Sequence, residues 1–540
     1  MTTIDQALAR LRSWNAVGDD PVPAGIRAEG VRFSAIGGPL EARWHQALAE
    51  LAACIHPLAG SPAVLNEGGV YLGTWIESTG TINAELLSRF VPTVTRDTHL
   101  LFAHLQREDG MIPYKVTDAG PGFSQIQIVT PLARSVWNHY LLCGRDASYL
   151  RTMYGAMERY DAWLADWRDT RGTGAVEAFC AFDTGHDLSP RFWFIPDRGY
   201  RNDARRYDPA SPVLPYIAPD LTANVACQRS YLALMAEELG LDPAPWREKA
   251  AASLSALFEQ CLDEEEGIFY DRDATGALVR VQSDVLMRVL ACEVGSATFF
   301  TASLERYLMN TRKFLAHYGF TSLAMDDPRF DHDYSRNSWG GPSNFLSLIR
   351  APHAFEHHGH VAELAVSVMP VLGAVAASDR FPQCLDPWSG APGFTTMYSP
   401  SILWLLDAVE RHCGILPRPD GEVWFSGLIP TRLEHGTAAA ASAYARTVDG
   451  VDFELAGDDE SVIVYRDRAE HVRFPRGWRV ITDRAGSISA VVGLSPVAIE
   501  GELVADGRTI PLTVGPNERV SVVDGRVAGR SGPGFAAPRA

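Results

Sequence analysis

The chain has no apolar run that approaches the roughly 20 residues needed to cross a bilayer. Its opening, MTTIDQALARLRSWN, lacks the basic-then-apolar order of a secretory signal. A cytoplasmic setting is the default expectation. A basic tract is missing too: with a net charge of −18 and a pI near 5.3, nucleic acid is not an expected partner. The eight cysteines include no CxxC pair and mostly sit in apolar helical context, so they read as reduced core residues. DRDATGAL lacks the full spacing and the terminal Glu of a calcium-binding EF-hand loop.

What is present is a soluble, core-rich composition, 46% hydrophobic and 21% charged. Residues 1–40 read as an N-terminal lead-in with a possible strand near Val31–Phe33. From 41 to about 435, apolar residues recur at three- and four-residue spacing in segments such as LEARWHQALAELAACI and ASYLRTMYGAMERYDAWLADWRD. About a dozen such segments, paired across loops of alternating short and long length, predict helical hairpins in a closed ring, an (α/α)6 barrel. Beyond residue 435 the runs turn short, β-branched and alternating, as in SVIVYRD and ISAVVGL, which predicts a small antiparallel β domain over 436–528. The fold class is thus mainly α with a C-terminal β domain. The last residues, 529–540, carry few core formers and are expected to be disordered.

One stretch breaks the helical rhythm near its middle: Asp183-Thr184-Gly185-His186-Asp187-Leu188-Ser189-Pro190-Arg191-Phe192. Gly frees the backbone and Pro fixes φ while removing a donor, so this is a rigid loop that presents polar side chains. Phe182 precedes it, and Phe192, Trp193 and Phe194 crowd its end. A carboxyl desolvated there would have the raised pKa that a general acid needs near neutrality.

These residues resemble the signature of inverting α-glycosidases with (α/α)6 barrels, namely trehalases and the hydrolases of mannosylglycerate, glucosylglycerate and related glucosides. The typical form there is Glu/X-Ser-Gly-Trp/Met-Asp-X-Ser-Pro-Arg. Further stretches are similar to the same family in the same order: Asp220–Asn224, Asp263–Asp271, Ser338-Trp339-Gly340-Gly341-Pro342-Ser343-Asn344, Leu385-Asp386-Pro387-Trp388-Ser389-Gly390 and Tyr398-Ser399-Pro400. The resemblance implies a glycoside hydrolase that cleaves a small α-glucoside or α-mannoside with inversion, Asp187 being the general acid and Arg191 lining the sugar site. It implies no cofactor and no metal.

The chain departs from that pattern at one position. The family's general base is a Glu four residues before the Pro of its Asn/Asp-Pro-X-Thr-Gly loop, and counting back from Pro387 reaches Gln383. An amide cannot deprotonate water near neutral pH. Inversion needs two carboxyls about 6.5–9.5 Å apart, and among Asp386, Glu356, Glu363 and Asp379 the best placed replacement is Asp386. Asp183 is a candidate support for Asp187 or a ligand of sugar hydroxyls. Gln125, Asn344 and Gln383 are candidate hydroxyl binders, and Trp75, Trp193, Trp339 and Trp388, all in expected loops, are candidate stacking platforms. His353, His357, His358 and His360, with Arg350 nearby, are a candidate anion site, which keeps open an inverting phosphorylase in which phosphate attacks directly. A sugar-binding protein or an epimerase on the same barrel also stays open, as does the oligomeric state.

Overall fold

The computed structural model of the chain describes residues 2–429, 436–505 and 507–540. Helices dominate the first 413 residues and antiparallel strands the remainder. Most helices begin where the sequence supplies a start signal. Asp146 caps Ala147–Trp167 by accepting from the amides of Ser148 and Tyr149. Pro92 and Pro219 open their helices at a position where no amide donor is needed. The run from Ile82 to His104 is accordingly two helices, Ile82–Leu87 and Pro92–His104, broken where the proline predicts.

The helices form two layers. In the inner one Ile82–Leu87 packs on Leu132–Leu142, which packs on Pro219–Glu238, then Val285–Leu290, then Ala351–His357. Phe345–Leu348, which leads into Ala351–His357, packs on Ser399–Cys413, and this last helix returns to Ile82–Leu87. Outside it, Ala147–Trp167, Ala244–Cys261, Val361–Ala377 and Leu40–Ala53 lie against inner helices. Pro219–Glu238 is buried on most of its circumference, as expected of a helix with neighbours on every side. The loops carrying Glu77, Asp187 and Asn344 all precede inner helices, so they gather at one end of the layer.

The β domain has a seven-stranded and a six-stranded antiparallel sheet. Their inner faces meet, with Phe425 of one and Phe453 of the other 5.2 Å apart between ring centroids. The boundary expected at 435 lies outside the described residues, although strands Ile415–Pro417 and Val423–Ser426 of the six-stranded sheet already precede it.

Two expectations about the chain ends need correction. Residues 1–40 are not a separate lead-in: Arg32–Ile36 is an edge strand of the seven-stranded sheet, paired with Ala441–Val448, and helix Thr3–Ser13 packs on that same strand. Arg12 fixes the helix through a 2.6 Å ion pair with Glu454. The C-terminal tail is not disordered. The Ala536 amide donates to Glu363 Oε1 at 2.7 Å, Asn517 Nδ2 donates to the other carboxylate oxygen at 2.7 Å, and Arg539 pairs with Glu305. A buried Glu needs such donors, and the tail supplies one that no local pattern announces. No helix among the described residues is long and apolar enough to cross a membrane.

Candidate active site

The loop 183–192 is pinned from below by buried ion pairs. Arg191 donates to Asp271 (both contacts 2.7 Å) and to Asp220 at 3.0 and 3.1 Å, all three side chains being buried. Arg288 donates to the Thr184 carbonyl at 2.6 Å and to Asp220 at 3.3 Å. Between them His186 takes the Arg191 guanidinium on Nδ1 and faces Asp284 with Nε2 at 2.8 Å. Burial and the Arg288 charge push the imidazole down to about 3, so it is neutral with its proton on Nε2, the nitrogen beside Asp284. Arg191 is therefore part of the foundation of the loop, and the expectation that it lines a sugar site is corrected.

Of the two roles expected of Asp183, that of a ligand for sugar hydroxyls is corrected for the same reason. Its carboxylate takes Arg168 in a two-pronged pair at 2.6 and 3.1 Å and also the amides of Ile126, Phe179 and Cys180, with no exposed surface. A carboxylate so saturated has no lone pair left for a sugar hydroxyl.

Asp187 differs from both. It is partly accessible, and its Oδ2 accepts from Asn337 Nδ2 while its own carbonyl holds the Trp339 amide at 3.0 Å. Burial, then the Glu77 and Asp197 carboxylates, push its carboxyl up to about 8, against the Asn337 hydrogen bond and the Arg288 charge. Glu77 stands close because residue 185 is glycine: at φ +65° an added Cβ would lie 2.3 Å from Glu77 Oε1. The Glu77 carboxyl is itself raised by burial; Gln127 donates to its Oε2, and Arg350 lies 4.0 Å from its Oε1.

Gln383 joins this group. Tyr71 Oη donates to Gln383 Oε1 at 2.6 Å, Gln383 Nε2 donates to Asn337 Oδ1 at 2.9 Å, and Asn337 completes the line to Asp187. With the Tyr71 hydroxyl as donor, the two amides of the line point the same way, each accepting on its oxygen and donating from its nitrogen. Four non-glycine residues in the left-handed region lie on these loops, namely Gln127, Leu188, Thr395 and Met397, at φ of 47°, 58°, 64° and 49°. Such conformations cost roughly 1–3 kcal/mol each and tend to cluster where a site over-determines its backbone.

The other candidates divide. Asp386 caps its own turn, Oδ1 accepting the amides of Trp388 and Ser389 and the Ser389 hydroxyl, and Oδ2 lies 2.8 Å from His332 Nδ1. These bonds hold its carboxyl below the usual range in spite of partial burial, and no contact ties it to Asp187 among the described residues. Gln125 is buried one step behind the site, donating to Gln127 at 3.0 Å. Asn344 caps the Phe345–Leu348 helix, with Nδ2 free of protein partners among the described residues. Trp339 is buried beneath the Arg288 guanidinium, which rules out stacking on a substrate. Trp75 is half-buried, edge-on to Tyr71, whereas Trp193 and Trp388 are exposed. Of the histidines, His353 faces Glu85 and His360 faces Glu363, while His358 stacks on Phe300 with His357 edge-on to it.

The motifs do not single out Tyr71, Glu77, Gln127 or Asn337. Asn337 sits immediately before the matched segment that begins at Ser338, so its position beside that segment is the available signal.

A family model for the mannosylglycerate hydrolase MGH1-like glycoside hydrolase domain matches residues 76–401. Among solved structures, the GH63 mannosylglycerate hydrolase from Thermus thermophilus in complex with Tris is similar at a TM-score of 0.57 and 19% identity, covering 67% of this chain and 98% of that one. The neutral trehalase from Saccharomyces cerevisiae is similar at a TM-score of 0.50 and 14% identity, covering 66% and 76%. At these identities the likeness concerns the fold alone. No curated protein matches the chain. With the family model spanning more than half of its length, the chain belongs to the MGH1-like glycoside hydrolases.

Proposed function

We propose that this glycoside hydrolase is an (α/α)6 barrel with a C-terminal β domain that cleaves a small α-glucoside or α-mannoside with inversion, Asp187 serving as general acid. One observation carries the reading. Asp187, unlike the fully buried Asp183, is partly open to solvent, and its carboxyl is raised to about 8 by burial, Glu77 and Asp197. Because Oδ2 already accepts from Asn337, the proton belongs on Oδ1, the oxygen left to face a glycosidic bond.

The opposite face of the sugar falls to Gln383. Its amide cannot take a proton from water, but Oε1 keeps a lone pair beside the Tyr71 bond and can orient an incoming water. The reaction then leans on the acid, and attack relies on a nucleophile that no carboxylate sharpens. Asp386 does not fill the gap, since both of its oxygens are engaged in its own turn and with His332. The phosphorylase reading loses the support of His353 and His360, which face the carboxylates of Glu85 and Glu363.

The test is Asp187→Asn, assayed on α-glucosides and α-mannosides with calorimetry of sugar binding. Turnover should fall by about 10²–10⁴-fold, the usual worth of a general acid, with sugar affinity retained. Near-normal turnover sinks the assignment, and proton NMR of the first product should show the β anomer.

A further inference from the structure

The segment that follows the acid is apolar and open to water. Leu188, Trp193 and Phe194 are 57%, 56% and 84% exposed. Exposed apolar side chains are ordinary when single, but a contiguous group marks a surface that meets something. Two of them are held together. Leu188 sits at φ +58°, a conformation that a leucine adopts only under constraint, and Trp193 Nε1 donates to the Leu188 carbonyl at 3.4 Å.

Their place beside Asp187 says what they meet. A general acid protonates the leaving oxygen, so the departing group extends from that oxygen over the surface next to the acid. Leu188 is the next residue in the chain. The charges acting most strongly on Asp187 bear on the same question: Glu77 and Asp197 are negative, and the cation, Arg288, is buried with its guanidinium over the Trp339 ring. A carboxylate on the leaving group would meet the exposed Asp197 without a compensating cation among these groups.

We infer that the leaving group of the substrate is uncharged and apolar, an alkyl or aryl aglycone held against Leu188, Trp193 and Phe194. This rests on Asp187 being the acid, since that fixes the side from which the group departs. Binding energy would come from burying methylene or ring surface, and one methylene in such a site changes specificity by about tenfold or more.

The experiment compares methyl, octyl and glyceryl-carboxylate α-glycosides of glucose and of mannose. Turnover is read on the natural sequence, and affinity by calorimetry on Asp187→Asn. The octyl glycoside is expected to exceed the methyl one by about tenfold or more in kcat/KM, mostly through KM, with the acidic aglycone poorest. Leu188→Ser and Trp193→Ser should each reduce the octyl-to-methyl ratio by about threefold or more. Equal affinities and equal kcat/KM for octyl and methyl glycosides overturn the inference, as does preference for the acidic aglycone. A change of oligomeric state in both serine variants with the ratio intact also overturns it, because the surface would then be an interface between copies. Octyl preference in binding with no turnover of any glycoside would leave the apolar site standing while disposing of Asp187 as acid.

Discussion

A single amide separates Gln383 from Asp187. Asn337 accepts from Gln383 Nε2 at 2.9 Å and donates to Asp187 Oδ2, so the residue in place of a general base and the residue proposed as acid share one polar line that starts at Tyr71. A glutamate at 383 could not donate to Asn337. The amide therefore does more than fill the space of a carboxylate: it sets which face of Asn337 the acid meets.

Gln383→Glu is the most direct probe of that arrangement. A carboxylate there can take a proton from water, and release of free sugar should rise by about tenfold or more. Loss of activity would mean that the Asn337 orientation matters more than a base. Azide, which needs no deprotonation, should accelerate the natural enzyme and yield a β-glycosyl azide from an α-glycoside; its failure to do so would count against a water-activation deficit.

The acid predicts the alkaline limb. Asp187 must be protonated to donate, so kcat/KM should decline as pH rises through about 8. Glu77→Gln removes the anion that acts most strongly on Asp187 and should shift this limb down by about one pH unit, since a neighbouring like charge adds to burial in raising the pKa. Asn337→Ala should shift it upward, because the lost hydrogen bond favours the ionised form. A limb that stays in place in both variants would exclude Asp187 as its source.

The same raised pKa has a stability counterpart. In the folded protein Asp187 binds its proton up to about pH 8, whereas the unfolded chain releases it near pH 4. Stability from this group is full below the lower value and is lost as pH rises between the two. Asp187→Asn should thus be more stable than the natural protein at pH 8 by about 1–2 kcal/mol, a discounted share because the carboxyl is partly open to water. Urea unfolding at pH 5 and pH 8 checks this, and a gain equal at both pH values would contradict it.

Asp183 and Arg191 should behave as structural residues. Removing one partner of a buried pair costs about 3–5 kcal/mol because it strands the other charge. Asp183→Ala, beside Arg168, and Arg191→Met, beside Asp220 and Asp271, are expected to lose that much unfolding free energy. A variant of either that unfolds normally but has a raised KM would return the residue to the substrate site.

Much of this was legible from residue order, for physical reasons. Asp187 lies in a short loop whose Gly, Pro and aromatic neighbours state its rigidity locally, and the helices announce themselves through apolar spacing and prolines. Asn337 was not legible, since its partners are 150 and 46 residues away in sequence. Asp183 and Arg191 share the motif with the acid, and nothing in the motif tells a residue that holds the loop from one that faces the cleft. Only the buried counter-charges Arg168, Asp220 and Asp271 make that distinction. Pairing of Arg32–Ile36 with residues 441–445 spans the whole helical domain and leaves no local trace.

Gly185 has a wider consequence. The approach of the Glu77 carboxylate to the acid's loop is set by the absence of one methyl group, for which there is no room. A substitution as slight as Gly185→Ala would push the anion away or shift the loop, and the working pH of the enzyme would move with it. The proton affinity of the acid is thus written partly in a residue that has no titratable group at all, and any redesign of the loop that keeps every charge but alters this spacing would retune the enzyme without touching its chemistry.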